Sequence, residues 1–471
     1  MITAWLRNVA AVFLSLAIIV GLVTLGRYQQ SKGIVLEGEP LVILSPHWAG
    51  IKDEFSRAFH EWYLKKTGVA VKPEWLDVGG TSDCLKFVSS EFSRSPSGIN
   101  IDLFFGGGEP AALRLKEQGF LERIEISPDV LGRVPSECAG RAIYDPEGYW
   151  YGTCLAGFGI IYSKPVLRFL KVAEPVSWAD MSKPEFYGWT GSGDPRKSGS
   201  VHMLYEIVLQ SKGWDEGIRL LRQFAGNVRY FTDGGSDAPE FVAMRELACA
   251  GAIDLYALPQ VARMGAENVG FLFPEGQAVV NPDPIAVLKG APHLALAKAF
   301  VEFTLRPEGQ RLWMLPPGSP GGPKQFALNR FSVIPGLYDE LAGKAQLPMN
   351  PFTVKSGLKF DAKKDSKRRR VLDDYLGVTL IDTHLQLTRA WKAIIDAGRR
   401  DGGLPDEPLR IMTDPFLSED ELMQLAERWN EKKFRQEKLN EWTRQAYDAY
   451  RRAEKLARSY SDSRVDRRPA W

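Results

Sequence analysis

In DPRKSGSVHMLYEIVLQSKGWDEG, residues 194–217, a polar turn runs straight into an apolar helical stretch. Asp194-Pro195 opens the turn, Ser198-Gly199-Ser200 follows, and 201–212 has the length and spacing of a helix. Ser198 and Ser200 thus stand where capping hydroxyls stand. The amides of the first helical turn have no partner inside the helix and face whatever lies before them. Hydroxyls and free amides at one helix start suit an anion, and Gly199 between them lets a ligand come close to the backbone.

The same junction of strand end and helix start recurs upstream. Residues 41–44, 70–75 and 101–105 read as strands, and 52–66, 111–118 and 215–224 have helical spacing. The first strand runs into Ser45-Pro46-His47-Trp48-Ala49-Gly50. The second is followed by Gly79-Gly80-Thr81-Ser82-Asp83, and the third ends in Gly106-Gly107-Gly108-Glu109-Pro110. Three such junctions in succession imply one polar crevice at the carboxyl edge of an open α/β sheet, with Ser45, His47, Gly80, Thr81, Ser82 and Gly107 lining it. Residues 150–163, 252–258 and 285–288 read as further strands, as in a chain that leaves one α/β lobe, builds a second and returns.

With IDLYALPQ at 253–260 and NPDPIAVLKGAPHLALAKAFVEFTLRPEGQ at 281–310, the 194–217 stretch resembles the extracellular solute-binding proteins of ABC importers, and within them the group of ferric-iron and sugar-phosphate binders. The likeness covers about residues 40–335. It implies an α/β, two-lobed clamp of type II: residues 40–150 and 270–335 as one lobe, 151–269 as hinge and second lobe, with crossover strands at 150–163 and near Tyr256. It also implies a permease and an ATPase as partners, and a periplasmic or cell-surface location. The solute closes the clamp because it bridges half-sites on both lobes. Ferric binders of this kind use adjacent tyrosines; Tyr256 falls in that region, but its neighbour is Leu255. Tyr256 is thus a metal ligand only if ferric iron is the cargo, with Asp254 and His47 beside it. A phosphate ester or carboxylate suits the glycine amides and hydroxyls better.

Sixty Lys and Arg against 58 Asp and Glu leave a net charge of +2, which offers no field for nucleic acid. No GxSxG, HExxH or phosphate-binding loop is present, so an exported enzyme is the weakest reading and no resident cofactor is expected. Residues 9–26 are uncharged and apolar and lack an Ala-x-Ala site, which favours an uncleaved membrane anchor within residues 1–30 over a removed signal peptide. Cys84, Cys138, Cys154 and Cys249 allow three pairings if all are oxidised, and the turn signal Asp145-Pro146-Glu147-Gly148 makes Cys138–Cys154 the favoured bridge. Residues 351–471 read as a helical extension, with one long amphipathic helix over 422–456, Asp361 and Asp365 exposed, and a disordered basic tail from 459. An anchor plus such an extension leaves a membrane-tethered sensor or scaffold as the alternative to importer delivery.

Overall fold

The computed structural model describes residues 36–347, 349–353 and 358–465, so the apolar run 9–26 lies outside the described residues. Among the described residues no helix is long and apolar enough to cross a membrane.

The backbone of the fold is one curled sheet. Its strands are β1 (Glu39–Leu44), β2 (Val71–Leu76), β3 (Leu103–Phe105), β6 (Tyr151–Ser163), β7 (Thr190–Gly193), β8 (Val228–Thr232), β9 (Cys249–Ile253), β10 (Val269–Leu272) and β11 (Val280–Val287), with a small β4–β5 pair (Glu137–Cys138, Arg141–Ala142) apart from it. The order is β2-β1-β3-β11-β6-β9-β7-β8, with β10 also on β6. Strands β1 to β3 are parallel, whereas β11 runs antiparallel to both β3 and β6. A parallel neighbour needs a crossover, so each of these strands ends in a loop and a helix, and the loops gather at one edge.

The 13 residues of β6 are all buried, and at roughly 3.3 Å per residue they span about 43 Å. Its first half, 151–157, pairs with β11; its second half pairs with β9 and β10. One strand therefore serves two hydrophobic cores. Phe55, Phe105, Phe300 and Trp313 fill the first; Trp178, Tyr205, Leu221 and Phe224 belong to the second. Glycine keeps the strand slim where neighbours crowd it: a Cβ on Gly159 would stand 2.1 Å from the Leu272 carbonyl oxygen.

The second core does not stop at the sheet. Tyr375, Trp391, Trp442 and Tyr450 from the C-terminal helices lie in it, so those helices extend the second lobe rather than trail from it. They are Ala362–Leu376, His384–Asp401, Asp406–Thr413, Glu419–Ala426 and Lys432–Val465. Gly226 has no side chain where one would meet the Trp391 ring at 2.6 Å, and the Trp391 indole N–H donates to Asn227 Oδ1 at 2.6 Å.

Four expectations need correction. Residues 252–258 are not a strand: β9 ends at Ile253 and a helix, Asp254–Met264, begins, so Tyr256 is helical and the second crossing is made between β10 and β11. Alternating apolar residues in a short run leave strand and helix undistinguished. The 422–456 helix is two helices, Glu419–Ala426 and Lys432–Val465, and the latter runs on into the expected tail; residues 466–471 lie outside the described ones. Asp365 is buried, not exposed. The four cysteines are separate buried thiols. The turn at Asp145–Gly148 does close a hairpin, but it pairs Tyr144 with Tyr151, leaving Cys138 on β4 and carrying Cys154 into β6.

Candidate functional site

At the carboxyl edge of β1, Ser45 is buried and its hydroxyl accepts the His47 N–H at 3.1 Å. That turn aims the imidazole at β11, where Nε2 lies 2.8 Å from Asp283 Oδ2 and the ring meets Phe105 edge-on at 4.8 Å. Gly106, Gly107 and Gly108, beyond β3, all have positive φ, at 99°, 86° and 76°, which other residues adopt only with strain. A Cβ on Gly106 would stand 2.7 Å from His47 Nε2, and one on Gly107 would stand 3.0 Å from the Thr81 methyl. The Gly108 N–H donates to Asp283 Oδ1 at 3.0 Å. Gly80 caps the helix Thr81–Arg94 through its backbone alone. Ser45, His47, Gly107, Thr81 and Gly80 therefore form one edge, whereas Ser82 is exposed on the same helix.

The second half is built on the helix Gly199–Lys212. Ser198 is its N-cap: the hydroxyl accepts the Val201 N–H at 3.5 Å and lies 3.1 Å from Ser200 Oγ. The amides of Gly199 and Ser200 bond to no described residue. A Cβ on Gly235 would stand 2.5 Å from Ser200 Oγ and 3.6 Å from Tyr256 Cε2, so glycine lets these groups converge. Arg196 is taken up by Asp194 and, at 2.9 Å, by Asp382 in the link before the helix His384–Asp401; Lys197 pairs with Asp233 at the surface.

Between the halves lies a group of buried polar residues that the sequence revealed only in part: Asp254 and His47 were expected there, Asp283 and Arg330 were not. Asp254 is fully buried; Oδ2 accepts the Gly157 N–H of β6 at 2.7 Å, and Oδ1 has no partner. Burial pushes its pKa up to about 7, against the opposing pull of Arg330 and the Gly157 amide. Arg330 is 8 % exposed and its guanidinium makes no hydrogen bond or ion pair with any described residue, although its charge is felt at both Asp254 and Asp283. Burial would raise the Asp283 carboxyl too, but His47, Arg330 and the Gly108 amide hold it below the usual range. His47 Nδ1, Asn281 Oδ1 and Asn329 Oδ1 are also buried without partners. Asp283, an acid between two prolines in an apolar run, carried a readable signal; Arg330 carried none, since only Phe331 pairing with Leu155 brings it to β6.

A second polar cluster lies behind the helix Gly199–Lys212. Its His202 sits between Asp365 at 2.6 Å and Asp373 at 2.5 Å, and Glu206 grips Arg368, which also meets Glu419. Burial alone would lower the His202 pKa, but the two carboxylates win and raise it to about 9. Ligand atoms of His202, Glu206 and Asp365 lie within 4.8 Å of one another, close enough for a metal, yet each is already paired inside the protein.

Residues 99–329 match the family of bacterial extracellular solute-binding proteins. A phosphoglycerate transport regulatory protein, PgtC, of Salmonella typhimurium is 25% identical over 73% of this chain and 80% of its own length. Among solved structures, the periplasmic binding protein AfuA from Actinobacillus pleuropneumoniae, with fructose-6-phosphate bound, superposes with a TM-score of 0.55 at 17% identity, covering 72% of this chain and 98% of that one. Iron-bound HitA from Pseudomonas aeruginosa gives 0.51 at 22% identity, covering 68% and 93%. At such identities these likenesses establish the α/β periplasmic-binding-protein fold.

Proposed function

From the premise that this chain carries a domain of the bacterial extracellular solute-binding family, and is the solute-binding component of an ABC importer that works outside the cytoplasm, we propose that its cleft captures a small phosphorylated or carboxylated anion. The observation that carries this is Arg330, a nearly buried guanidinium with no ion pair. Its donors reach no carboxylate directly, although its charge is felt at Asp254 and Asp283, so they are open to an anionic solute. The hydroxyls of Ser198 and Ser200 and the free amides of Gly199 and Ser200 bind the same charge from the second lobe, and Thr81, Gly80 and Gly107 line the first. A solute touching both halves favours the closed clamp.

Ferric iron is the less supported cargo. Hard Fe(III) requires anionic oxygens, Tyr256 has Leu255 where a second tyrosine would serve, and the Arg330 cation repels a metal ion. Calorimetry with 3-phosphoglycerate, fructose 6-phosphate and ferric citrate separates the two. Phosphate esters should bind and shrink the radius in solution scattering, and Arg330→Met should abolish both effects. A coloured protein whose visible band vanishes in Tyr256→Phe would overturn the reading in favour of iron.

A second reading, a membrane-tethered sensor, is supported by the regulatory relative and by C-terminal helices that share the second lobe's core. In either reading the run 9–26 supplies the tether or the export signal. Full-length chain that stays in the membrane fraction at high salt supports the tether; a soluble form beginning near residues 27–35 overturns it.

A further inference from the structure

The half-site on the helix Gly199–Lys212 leans on a part of the chain outside the family match at 99–329. Arg196, in the turn between β7 and that helix, holds Asp194 through Nε at 3.0 Å and Nη2 at 2.8 Å, and Asp382 through Nη1 and Nη2, both at 2.9 Å. A guanidinium has five N–H donors, so a single one is left, and Arg196 fixes the chain rather than a solute. Asp194 is buried, and its backbone carbonyl accepts the Lys197 and Ser198 amides at 3.0 and 3.1 Å. The residue that Arg196 grips is therefore the one on which the turn of the capping serine is built.

Asp382 is held from the other side. The helix Ala362–Leu376 runs into a π-helical turn, Gly377–Ile381, just before it. Such single turns are rare and are frequent at functional sites. The Thr383 hydroxyl donates to the Val378 and Thr379 carbonyls at 3.0 Å, and the Tyr450 hydroxyl of the long C-terminal helix donates to the Thr379 carbonyl at 2.6 Å. Glycine admits an arginine on each side of the contact. A Cβ on Gly377 would stand 2.5 Å from Arg196 Nε, and one on Gly199 would stand 2.9 Å from Arg369 Nη2. Two residues beyond Asp382, His384 meets Phe231 of β8 edge-on at 5.0 Å, and β8 leads to Gly235, which lies against Ser200. The C-terminal helices thus touch both the turn before Ser198 and the strand before Gly235.

Asp382 is 44 % exposed, and a pair so wet adds little to global stability. It does hold the turn 194–198 in one conformation, and an ordering cost met before a solute arrives does not weaken its binding. We propose that Asp382 is a positioning residue of the solute site: through Arg196 it fixes that turn, and with it the Ser198 hydroxyl and the free amides of Gly199 and Ser200. This rests on the anionic-solute reading and makes the C-terminal helices a working part of the clamp. A bound anion orders the turn from one side and Asp382 from the other, so each strengthens the other by the same factor. The C-terminal helices thereby register whether the cleft is filled.

Calorimetry of the full chain with 3-phosphoglycerate and fructose 6-phosphate measures the coupling. Asp382→Asn removes the charge and keeps the shape, and should weaken the ester that binds by roughly 5- to 10-fold. Arg219→Met is the control. It removes another half-exposed bridge from the second lobe to the C-terminal helices, Arg219–Asp414 at 2.8 Å, but from the helix Trp214–Asn227 instead of the turn, and should change binding by less than about twofold. Arg196→Met combined with Asp382→Asn should weaken binding no more than Arg196→Met alone, because both break one contact. In the natural protein the ester should slow hydrogen exchange at residues 377–384, and Arg196→Met should abolish that slowing. Unchanged affinity in Asp382→Asn overturns the inference and leaves the anionic-solute reading standing. An equal loss in Arg219→Met overturns it as well, since the C-terminal helices then act only by holding the lobe together. Should Asp382→Asn fail to fold, exchange at 377–384 that ignores the ester in the natural protein overturns the coupling. Binding of neither ester overturns the anionic-solute reading and this inference with it.

Discussion

Two buried polar clusters, one on the helix Gly199–Lys212 and one beside β6, are built by opposite rules. Behind the helix, His202, Glu206, Asp365 and Arg368 are all deeply buried, and every one is paired. Beside β6, Asp254 is as deeply buried and Arg330 is nearly so, yet an oxygen of one lacks a partner and the guanidinium of the other makes no ion pair with any described residue. Satisfied polar groups hold a structure together, because removing one partner strands the other in a poor solvent. Unsatisfied ones cost stability, and they are where the polar groups of a ligand gain most. The paired cluster is therefore the seam that fixes the C-terminal helices to the second lobe, and the unpaired one is the proposed binding floor.

Breaking the seam should cost the most. Arg368→Ala leaves the Glu206 carboxylate buried without its cation and should lower stability by about 3–5 kcal/mol, measured as a shift of the urea midpoint at unchanged slope. A loss below about 1 kcal/mol would mean that the seam is dispensable. The second test uses pH. Because its folded pKa is raised from 6.5 to about 9, protonated His202 gives stability that is complete below pH 6.5 and lost as pH rises through 9. Denaturant midpoints between pH 6 and 10 should fall in the natural protein and flatten in His202→Gln.

The floor should behave in the reverse manner. Arg330→Met breaks no ion pair, so stability should move by no more than about 1 kcal/mol, while binding of a phosphate ester falls at least tenfold. A large loss of stability with intact binding would erase the contrast between the two clusters. At Asp254 the raised folded pKa, about 7 against 3.8, means that the empty protein loses stability as pH rises from about 4 through 7. Asp254→Asn should remove that slope, which is read from melting temperatures across the window. The smallest effect is expected at Tyr256. If the solute is an organic anion, Tyr256→Phe removes one hydrogen bond at most, about 0.5–1.5 kcal/mol of binding, seen by calorimetry against the same phosphate ester.

How much of this was legible beforehand differs from element to element. β1, β2, β3, the helix Gly199–Lys212 and the N-cap at Ser198 lay close to where propensity and turn chemistry put them, because each is decided by residues within a few positions of one another. The local glycine run at 106–108 likewise announced a close approach. The strand reading of 252–258 failed because a short apolar run fits either period: β9 ends at Ile253, and the helix Asp254–Met264 begins there with Pro259 inside it. The expected Cys138–Cys154 bridge failed because a hairpin signal gives a turn but not its register.

The sequence by itself determined the α/β alternation, the polar loops at successive strand ends, the hydroxyl-bearing helix start and the absence of a tyrosine beside Tyr256, all of which are properties of neighbours along the chain. Only the tertiary structure decided that Arg330 lies beside Asp254 and Asp283, that Asp365 is buried against His202, and that the C-terminal helices share the second lobe's core. Those pairs are separated by between 47 and 163 positions. Whether a charge is satisfied depends on what the fold brings to within a hydrogen bond's length, and no local pattern of residue types records that.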